Sequence, residues 1–435
     1  MTIAIIKTKA EQGIVADFAA HASRLPGDAA TGKSRTEAMA AFARAGLPHR
    51  RVEAWKYTDL RVALKAFAPI ATGDQAQVSA ADVDEALGSL AAIDADRLVF
   101  VNGCYRRELS TPKPQVNLFT LGEVLRSGGA LPALKTDEAV VSLNGALATD
   151  GAVIDIAEGE KLAKPILVIA IAAGASAQLT TLRHAIKLGT GATATVIEAH
   201  VTLTGAAASQ SNSVLEISAG DAAGLTHVLV GLEGNAATHI ETIAATLGAR
   251  TTLNSFQLTA STGLARNQMF TRFAGEHAKL DISGLMLGRG REHIDTTLVI
   301  DHAVPHCESR ELFKAVLDDT ARAVFQGKVI VRPDAQKTDG KQMAKALMLS
   351  EGCEFDSKPE LEIYADDVVC GHGATVAEID PAMMFYLRSR GISKEEARVM
   401  LIESFVGEAL EKIEDEQLRE VLSEVTRIWL SARQA

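Results

Sequence analysis

The chain has 435 residues, of which 47% are hydrophobic and 23% charged, as expected for a soluble globular protein of two or three domains. Its formal net charge of −11 argues against a nucleic-acid partner, because phosphate binding needs a concentrated basic surface. No apolar run is long enough for a signal-peptide core at the N-terminus or for a bilayer span elsewhere, which argues against a membrane partner.

The cysteines predict a reducing compartment. Cys104, Cys307, Cys353 and Cys370 lie far apart and form no CxxC pair, so a secreted disulfide scaffold is not expected. Together with the missing signal peptide, this predicts a cytoplasmic protein.

Helical periodicity dominates the beginning of the chain. Residues 15–22 repeat at helical spacing, and a second run over 35–45 ends at Gly46. Between them, 27–34 matches the phosphate-binding loop pattern of ATPases letter for letter. That loop functions only between a buried strand and a helix, and no apolar strand precedes this segment. The segment is therefore interpreted as a polar linker between two helices.

The next segment is mixed. A short strand is predicted over 98–101 and is closed by Asn102-Gly103, a strong turn pair. We expect an N-terminal helical region over 1–95 and a mixed α/β lead-in over 96–150.

Regularly spaced glycines divide the central part of the chain into short strands. Between about 152 and 361, runs rich in Val, Ile, Leu and Thr are punctuated at intervals of about 12 to 15 residues, which predicts strands of similar length that turn at stacked corners. These glycines are Gly191, Gly205, Gly220, Gly234, Gly248, Gly263, Gly275 and Gly290. A β-solenoid over 151–375 is favoured over an antiparallel meander, because hairpin dipeptides are few. A β-sandwich with incidental glycines is the remaining alternative.

His302, His306 and Cys307 form one candidate metal site. An HxxxH pair needs a helix to align both rings, and Pro305 lies between these two histidines. A turn with solvated histidines is the favoured interpretation, although His302 can also face the interior.

A second candidate site is the box Cys370-Gly-His372. Its thiol and imidazole are two residues apart in an extended segment, so they point to the same side of the backbone. Both groups are ligands of iron and other transition metals. The box follows a strand-like stretch over 361–369, and from the residues alone a packed core cysteine and histidine remain an equal alternative.

Helices are predicted again after the box, over 376–435. Asp380-Pro381 supplies a helix start and Gly391 a helix end. Ser393 and Glu396 form a capping box for the next helix. The tail is too apolar to lie free, so we expect it to pack on the end of the solenoid or on a partner.

Several segments, in the same order, resemble the SufB/SufD family of the SUF iron–sulfur cluster assembly system, and its SufD type in particular. They begin with Gly46-Leu-Pro48 and 53–58, followed by Asn144-Gly-Ala-Leu147. The more specific segments are 325–331, 335–342, and 361 through the Cys370–Thr375 box to Gly391. The resemblance therefore covers nearly the whole chain.

This resemblance implies a mainly β fold, a right-handed parallel β-helix between an N-terminal helical region and a C-terminal helical domain. It implies a scaffold that is not an enzyme in its own right. SufB would pair with it through the β-helices, and the SufC ATPase would dock on the C-terminal helical domain. His372 would ligate iron of the nascent cluster at the SufB junction, with Cys370 beside it. The iron or cluster would be transient and shared with SufB, with none permanently bound.

Two alternatives remain, together with one open question. A SufB-like subunit would itself carry the cluster, but Gly-His-Gly-Ala-Thr departs from the Glu-His-Glu-Ala-Thr box of SufB. A carbohydrate-acting β-helix enzyme would be of a different class, and such enzymes are often secreted. Whether the isolated chain forms a homodimer is left open.

Cys353 stands where the family more often has alanine, and we expect a packed core thiol there.

Overall fold

A computed structural model describes residues 7–71, 76–111, 118–131 and 138–431. Helices occupy both ends of the chain, and strands occupy the middle. The helices are α1 Lys9–His21, α2 Ala29–Ala45, α3 Leu60–Ala63, α4 Ala80–Leu87, α5 Leu121–Arg126, α6 Ala139–Leu147, α7 Pro381–Ser389, α8 Lys394–Leu410 and α9 Glu416–Ser431. No helix within these ranges is long and apolar enough to cross a bilayer.

The strands are β1 Asp96–Val101, β2 Cys104–Tyr105, β3 Leu118–Thr120, β4 Ala152–Ile156, β5 Ile166–Ala172, β6 Leu179–Leu188, β7 Thr193–Thr202, β8 Gln210–Ala219, β9 Gly224–Leu232, β10 Gly234–Leu247, β11 Thr252–Ala260, β12 Thr262–Phe273, β13 Lys279–Gly288, β14 His293–His302, β15 Glu308–Leu317, β16 Arg322–Val331, β17 Asp339–Met348, β18 Glu354–Ile363 and β19 Val369–Ala377. The first strands are short, and from β6 onward each strand has between 9 and 14 residues.

From β4 onward the strands form a parallel β-solenoid of about eight turns. Each strand pairs in parallel with the strand two places further along the chain, so every turn contributes one strand to each of two facing sheets. One sheet runs β19-β17-β15-β13-β11-β9-β7-β5-β1-β2, and the other runs β18-β16-β14-β12-β10-β8-β6-β4-β3. The solenoid prediction is thus confirmed, and the meander and sandwich alternatives are excluded.

The glycine spacing corresponds to half a turn of the solenoid. Gly220, Gly248 and Gly275 follow successive strands of the nine-stranded sheet and stack at one corner. A Cβ on Gly275 would lie 2.1 Å from the backbone nitrogen of Ala249, so only glycine permits this approach. Gly263 departs from the pattern, because it lies inside β12.

The helices pack on the outer faces of the solenoid. α1, α2 and α6 cover the nine-stranded sheet, where Ile14, Phe42 and Leu147 join Val214 in one buried cluster. α8 and α9 cover the ten-stranded sheet through a cluster that includes Ile402, Val406, Leu422 and Trp429. The predicted packing of the tail on the end of the solenoid is wrong, because α8 and α9 bury their apolar residues against side chains of the outer face such as Val228, Leu258 and Leu285.

Of two local predictions in the N-terminal half, the turn at Asn102-Gly103 is confirmed and the linker over 27–34 is wrong. The Asn102-Gly103 turn has both φ angles positive, at 47° and 77°, as a tight hairpin between β1 and β2 requires. The segment 27–34, however, is not a linker: Asp28 caps α2, and residues from Ala29 onward are helical. The side chain of Asp28 accepts a hydrogen bond from the N–H of Thr31, which moves the helix start six residues before the predicted one.

The segment 53–58 fastens the N-terminal region to the outer face of the nine-stranded sheet. The guanidinium of Arg266 lies 3.8 Å from the ring centroid of the buried Trp55 and donates to the carbonyl of Ala54 at 2.8 Å. The same guanidinium forms a fully buried ion pair with Asp295, which also accepts from the hydroxyl of Thr58. A cation, a ring and a carboxylate therefore hold this motif in place.

Candidate functional site

The Cys370–His372 box lies on β19, the last strand of the ten-stranded sheet. β19 pairs with β17 on one side, and within the described residues no strand pairs with its other edge. The sequence placed a strand over 361–369 before the box. Instead, β18 ends at Ile363, the chain turns a corner, and the box itself is strand.

The register shows which way the two side chains point. Cys370 pairs with Gly340, His372 with Gln342, and Ala374 with Ala344. Ala344 belongs to the core between the two sheets. Because paired residues of stacked parallel strands share a face, Cys370 and His372 both point toward the interior side of the last turn. The sequence prediction that they lie on one side of the backbone is confirmed.

These interior-facing groups remain accessible because no further described turn covers them. His372 is exposed and Cys370 is half-buried. Cys370 packs beside Leu361 and Val368 at the edge of a small apolar cluster. The site is an uncovered cross-section of the solenoid core.

The thiol of Cys370 is not activated. Burial raises the pKa of this thiol, and the carboxylates of Asp339 and Glu311 raise it further. A cysteine becomes a strong nucleophile or metal ligand only as the thiolate, which needs nearby positive charge. Cys370 therefore needs a bound cation or a basic group from elsewhere to ionise at neutral pH.

Two polar residues lie beneath His372 in successive turns, and the sequence analysis missed both. Glu311 pairs with Gln342, which pairs with His372, so the three form one row across β15, β17 and β19. Burial raises the pKa of Glu311 to about 8, so this carboxyl is neutral at pH 7. Gln342 donates from Nε2 to the carbonyl of Glu360 on the facing sheet at 3.2 Å. In the sequence, the only sign of this row is that Glu311, Gln342 and His372 follow one another at intervals of one solenoid turn.

Exposed apolar side chains surround the box. Val369 and Val376 lie on β19 itself, Ile363 ends β18, and Tyr364 follows it at the adjacent corner. Nearby, α7 exposes Met383, Phe385 and Tyr386. A free strand edge with an apolar border is a typical surface for pairing with another chain.

The other candidate metal site is not formed. His302 is fully buried, its Nε2 lies 3.1 Å from the hydroxyl of Ser309, and burial lowers its pKa to about 4. His306 is exposed and stacks on His277 of the adjacent turn, with ring centroids 4.8 Å apart. The prediction of solvated histidines is wrong for His302, because it ends the interior-facing row of β14. In the described part of the chain these residues do not converge with Cys307 on one point.

Comparisons with known proteins agree with this architecture. The chain matches the family "SUF system FeS cluster assembly, SufBD core domain" over residues 170–405 and the SufBD N-terminal region over residues 27–168. It is 35% identical to the iron–sulfur cluster assembly protein SufD of Escherichia coli, over 87% of this chain and 88% of that protein.

Two further relatives extend the comparison. A SufBD family iron–sulfur cluster assembly protein of Synechocystis is 32% identical over 84% of each chain. SufD of Bacillus subtilis is 26% identical over 67% of each chain. The core match includes the whole Cys370–His372 box, its strand and the start of the C-terminal helices. The chain belongs to the SufBD family of SUF-system iron–sulfur cluster assembly proteins, with SufD as the relative that it resembles over most of its length.

Proposed function

We propose that this chain is a scaffold subunit of iron–sulfur cluster assembly that pairs with SufB at the open end of its solenoid. The observation that carries the proposal is the position of His372, which faces the solenoid interior yet is exposed on a free strand edge. A second solenoid stacked on this edge would cover the imidazole and bring its own side chains to it. The junction would then form a closed site shared by two chains.

In this proposal iron is the substrate, and His372 is one of its ligands. A neutral imidazole binds iron well when sulfur ligands complete the coordination. Cys370 keeps its proton without a cation nearby, so it would join as a thiolate only after iron arrives. SufB would therefore supply most of the thiolates, and the cluster would be transient.

The edge of β19 offers a direct test of the pairing with SufB. Val376 pairs with Ala346, whose side chain is in the core, and Val376 is 57% exposed. Val376→Asp is expected to weaken SufB binding at least about tenfold, since pairing would bury this valine and an aspartate resists burial. The measurement is co-purification of tagged chain with SufB, followed by titration.

Val62→Asp is the matched control, because Val62 is 62% exposed on α3, a helix that belongs to neither sheet. It is expected to bind SufB as the unmodified chain does. Equal affinity of both variants would rule out pairing through this edge.

The exposed face of α7 supports docking of the SufC ATPase on the C-terminal helical domain. α7 has no buried residue, and Phe385 is 74% exposed. Phe385→Ala is expected to reduce SufC co-purification at least about tenfold, because a buried phenylalanine contributes about 1.5 to 3 kcal/mol. Phe119→Ala, at a phenylalanine 48% exposed on β3, is the control. Undiminished SufC binding by Phe385→Ala would remove α7 from the docking surface.

The alternatives make different predictions. A SufB-like subunit would hold a stable cluster by itself, so anaerobic reconstitution of the isolated chain would give a visible chromophore that depends on Cys370. A homodimer of the isolated chain would use the same open edge and dissociate when SufB is added. A carbohydrate-acting enzyme has no support from the family matches.

A further inference from the structure

A group of buried histidines and glutamates lies inside the solenoid, far along the chain from the Cys370–His372 box. Glu198 and His200 come from β7, and His239 and Glu241 come from β10 in the facing sheet. Glu233 lies at the corner that joins β9 to β10. None of these residues is more than 5% exposed. Such a concentration of ionisable groups in a dry core is costly unless something compensates for the charge.

The ligand-type atoms converge. One atom each from His200, Glu233 and His239 lie within 4.8 Å of one another, and the same holds for Glu198, His200 and Glu241. The two imidazole rings have centroids 4.5 Å apart. His200 belongs to both groups and is therefore the centre of the arrangement.

The Glu241 carboxylate lies between the two imidazoles at a distance that leaves space for an ion. Its Oε2 is 3.6 Å from Nε2 of His200 and 3.7 Å from Nε2 of His239, which is too long for hydrogen bonds. Two ligand atoms that share one metal ion at about 2.1 Å each lie no more than about 4.2 Å apart. Both nitrogen–oxygen separations are within that limit, and neither carboxyl oxygen of Glu241 has a hydrogen-bond partner among the described residues.

Buried atoms in the group also lack hydrogen-bond partners among the described residues. Nε2 of His239 has no donor or acceptor within range, and neither has Oε2 of Glu198. Nδ1 of His239 lies 2.8 Å from the hydroxyl of Ser211 and 3.0 Å from Oε2 of Glu233, so Glu233 and Glu241 approach different nitrogens of this ring. A cavity of about 20 Å³, lined by His200, Ser211 and Glu233 among others, adjoins the group. That volume admits one water molecule or one ion.

We propose that this group binds one divalent transition-metal ion through His200, Glu233 and His239, whose ligand-type atoms converge beside the cavity. Two imidazoles and a carboxylate are a common ligand set for Fe²⁺ and are also suitable for Co²⁺ and Zn²⁺. The ion would compensate the buried carboxylates and join the two sheets across the interior. The site is separate from His372 and does not depend on the proposed role in cluster assembly.

The test is metal binding by the full chain, stripped with a chelator and titrated with Co²⁺ under anaerobic conditions. We expect visible d–d absorption that saturates with one ion per chain, loss of this absorption when excess Zn²⁺ competes for the site, and a higher melting temperature with metal than without. His200→Gln and Glu233→Gln are expected to weaken Co²⁺ binding by about 100-fold or more, since even ligand-orienting residues contribute about 10- to 100-fold.

Two controls locate the ion. His302→Gln removes another buried histidine of the same solenoid and is expected to leave Co²⁺ affinity unchanged, as is His306→Ala, which removes an exposed histidine. Failure of the stripped chain to bind Co²⁺, or unchanged affinity in His200→Gln, would overturn the proposal. If His200→Gln does not fold, the anomalous signal of Co²⁺ in crystals of the unmodified chain shows where the ion binds. A peak between His200 and His239 supports the site, and its absence there contradicts it.

Discussion

Replacing His372 with alanine is expected to abolish iron–sulfur cluster assembly while the fold and the partner complex remain. The side chain is exposed, so its loss should change the free energy of unfolding by no more than about 0.5 kcal/mol. The loss of an iron ligand should reduce assembly by about 100-fold or more. Growth of a cell that depends on the SUF system, and the iron and sulfide content of the purified complex, measure the effect.

Two control variants sharpen this experiment. His306→Ala removes another exposed histidine, located at a solenoid corner, and should leave assembly unchanged. Cys370→Ser should have a smaller effect than His372→Ala, because burial and nearby carboxylates keep the Cys370 thiol protonated. Normal cluster content in the His372→Ala complex would contradict the proposed role of the imidazole.

Replacing Asp295 with alanine is expected to destabilise the chain by about 3 to 5 kcal/mol, because Arg266 would remain as a buried, uncompensated cation. Arg266 also contacts the ring of Trp55 and the carbonyl of Ala54, so the N-terminal segment should loosen from the sheet as well. Urea denaturation, followed by Trp fluorescence, measures both effects.

Asp301→Ala is the matched control on the same strand. Asp301 pairs with Arg272 and Arg332, whose side chains are largely exposed, so its removal should cost no more than about 1 kcal/mol. A similar loss of stability in both variants would show that burial of the Arg266–Asp295 pair has no special importance. The double replacement Arg266→Met with Asp295→Leu should recover much of the lost stability, since no buried charge is left unpaired.

Local signals in the sequence predicted much of this fold. The even glycine spacing predicted stacked turns, because the backbone at positions such as Gly275 approaches its neighbour too closely for a side chain. Capping residues such as Ser393 predicted helix starts, because they act within one turn of the helix. The interpretation of 27–34 as a polar linker was wrong, since a good cap at Asp28 outweighs a glycine at position 32.

What the sequence did not predict depends on contacts between turns. Glu311 and Gln342 lie beneath His372 only because successive turns place them in register. The group around His200 is similarly built from facing sheets. Its one signal was an alternating pair in each strand, Glu198-Ala-His200 and His239-Ile-Glu241, which puts acid and imidazole on one face. Without the register, nothing indicates that these faces meet.

The most direct test of the central claim is anaerobic co-expression of this chain with SufB and SufC. We expect one stable complex of all three chains, with iron and sulfide bound in the unmodified complex and absent from the His372→Ala complex of the same composition. Isolation of the chain without SufB, or carrying a stable cluster of its own, would contradict it.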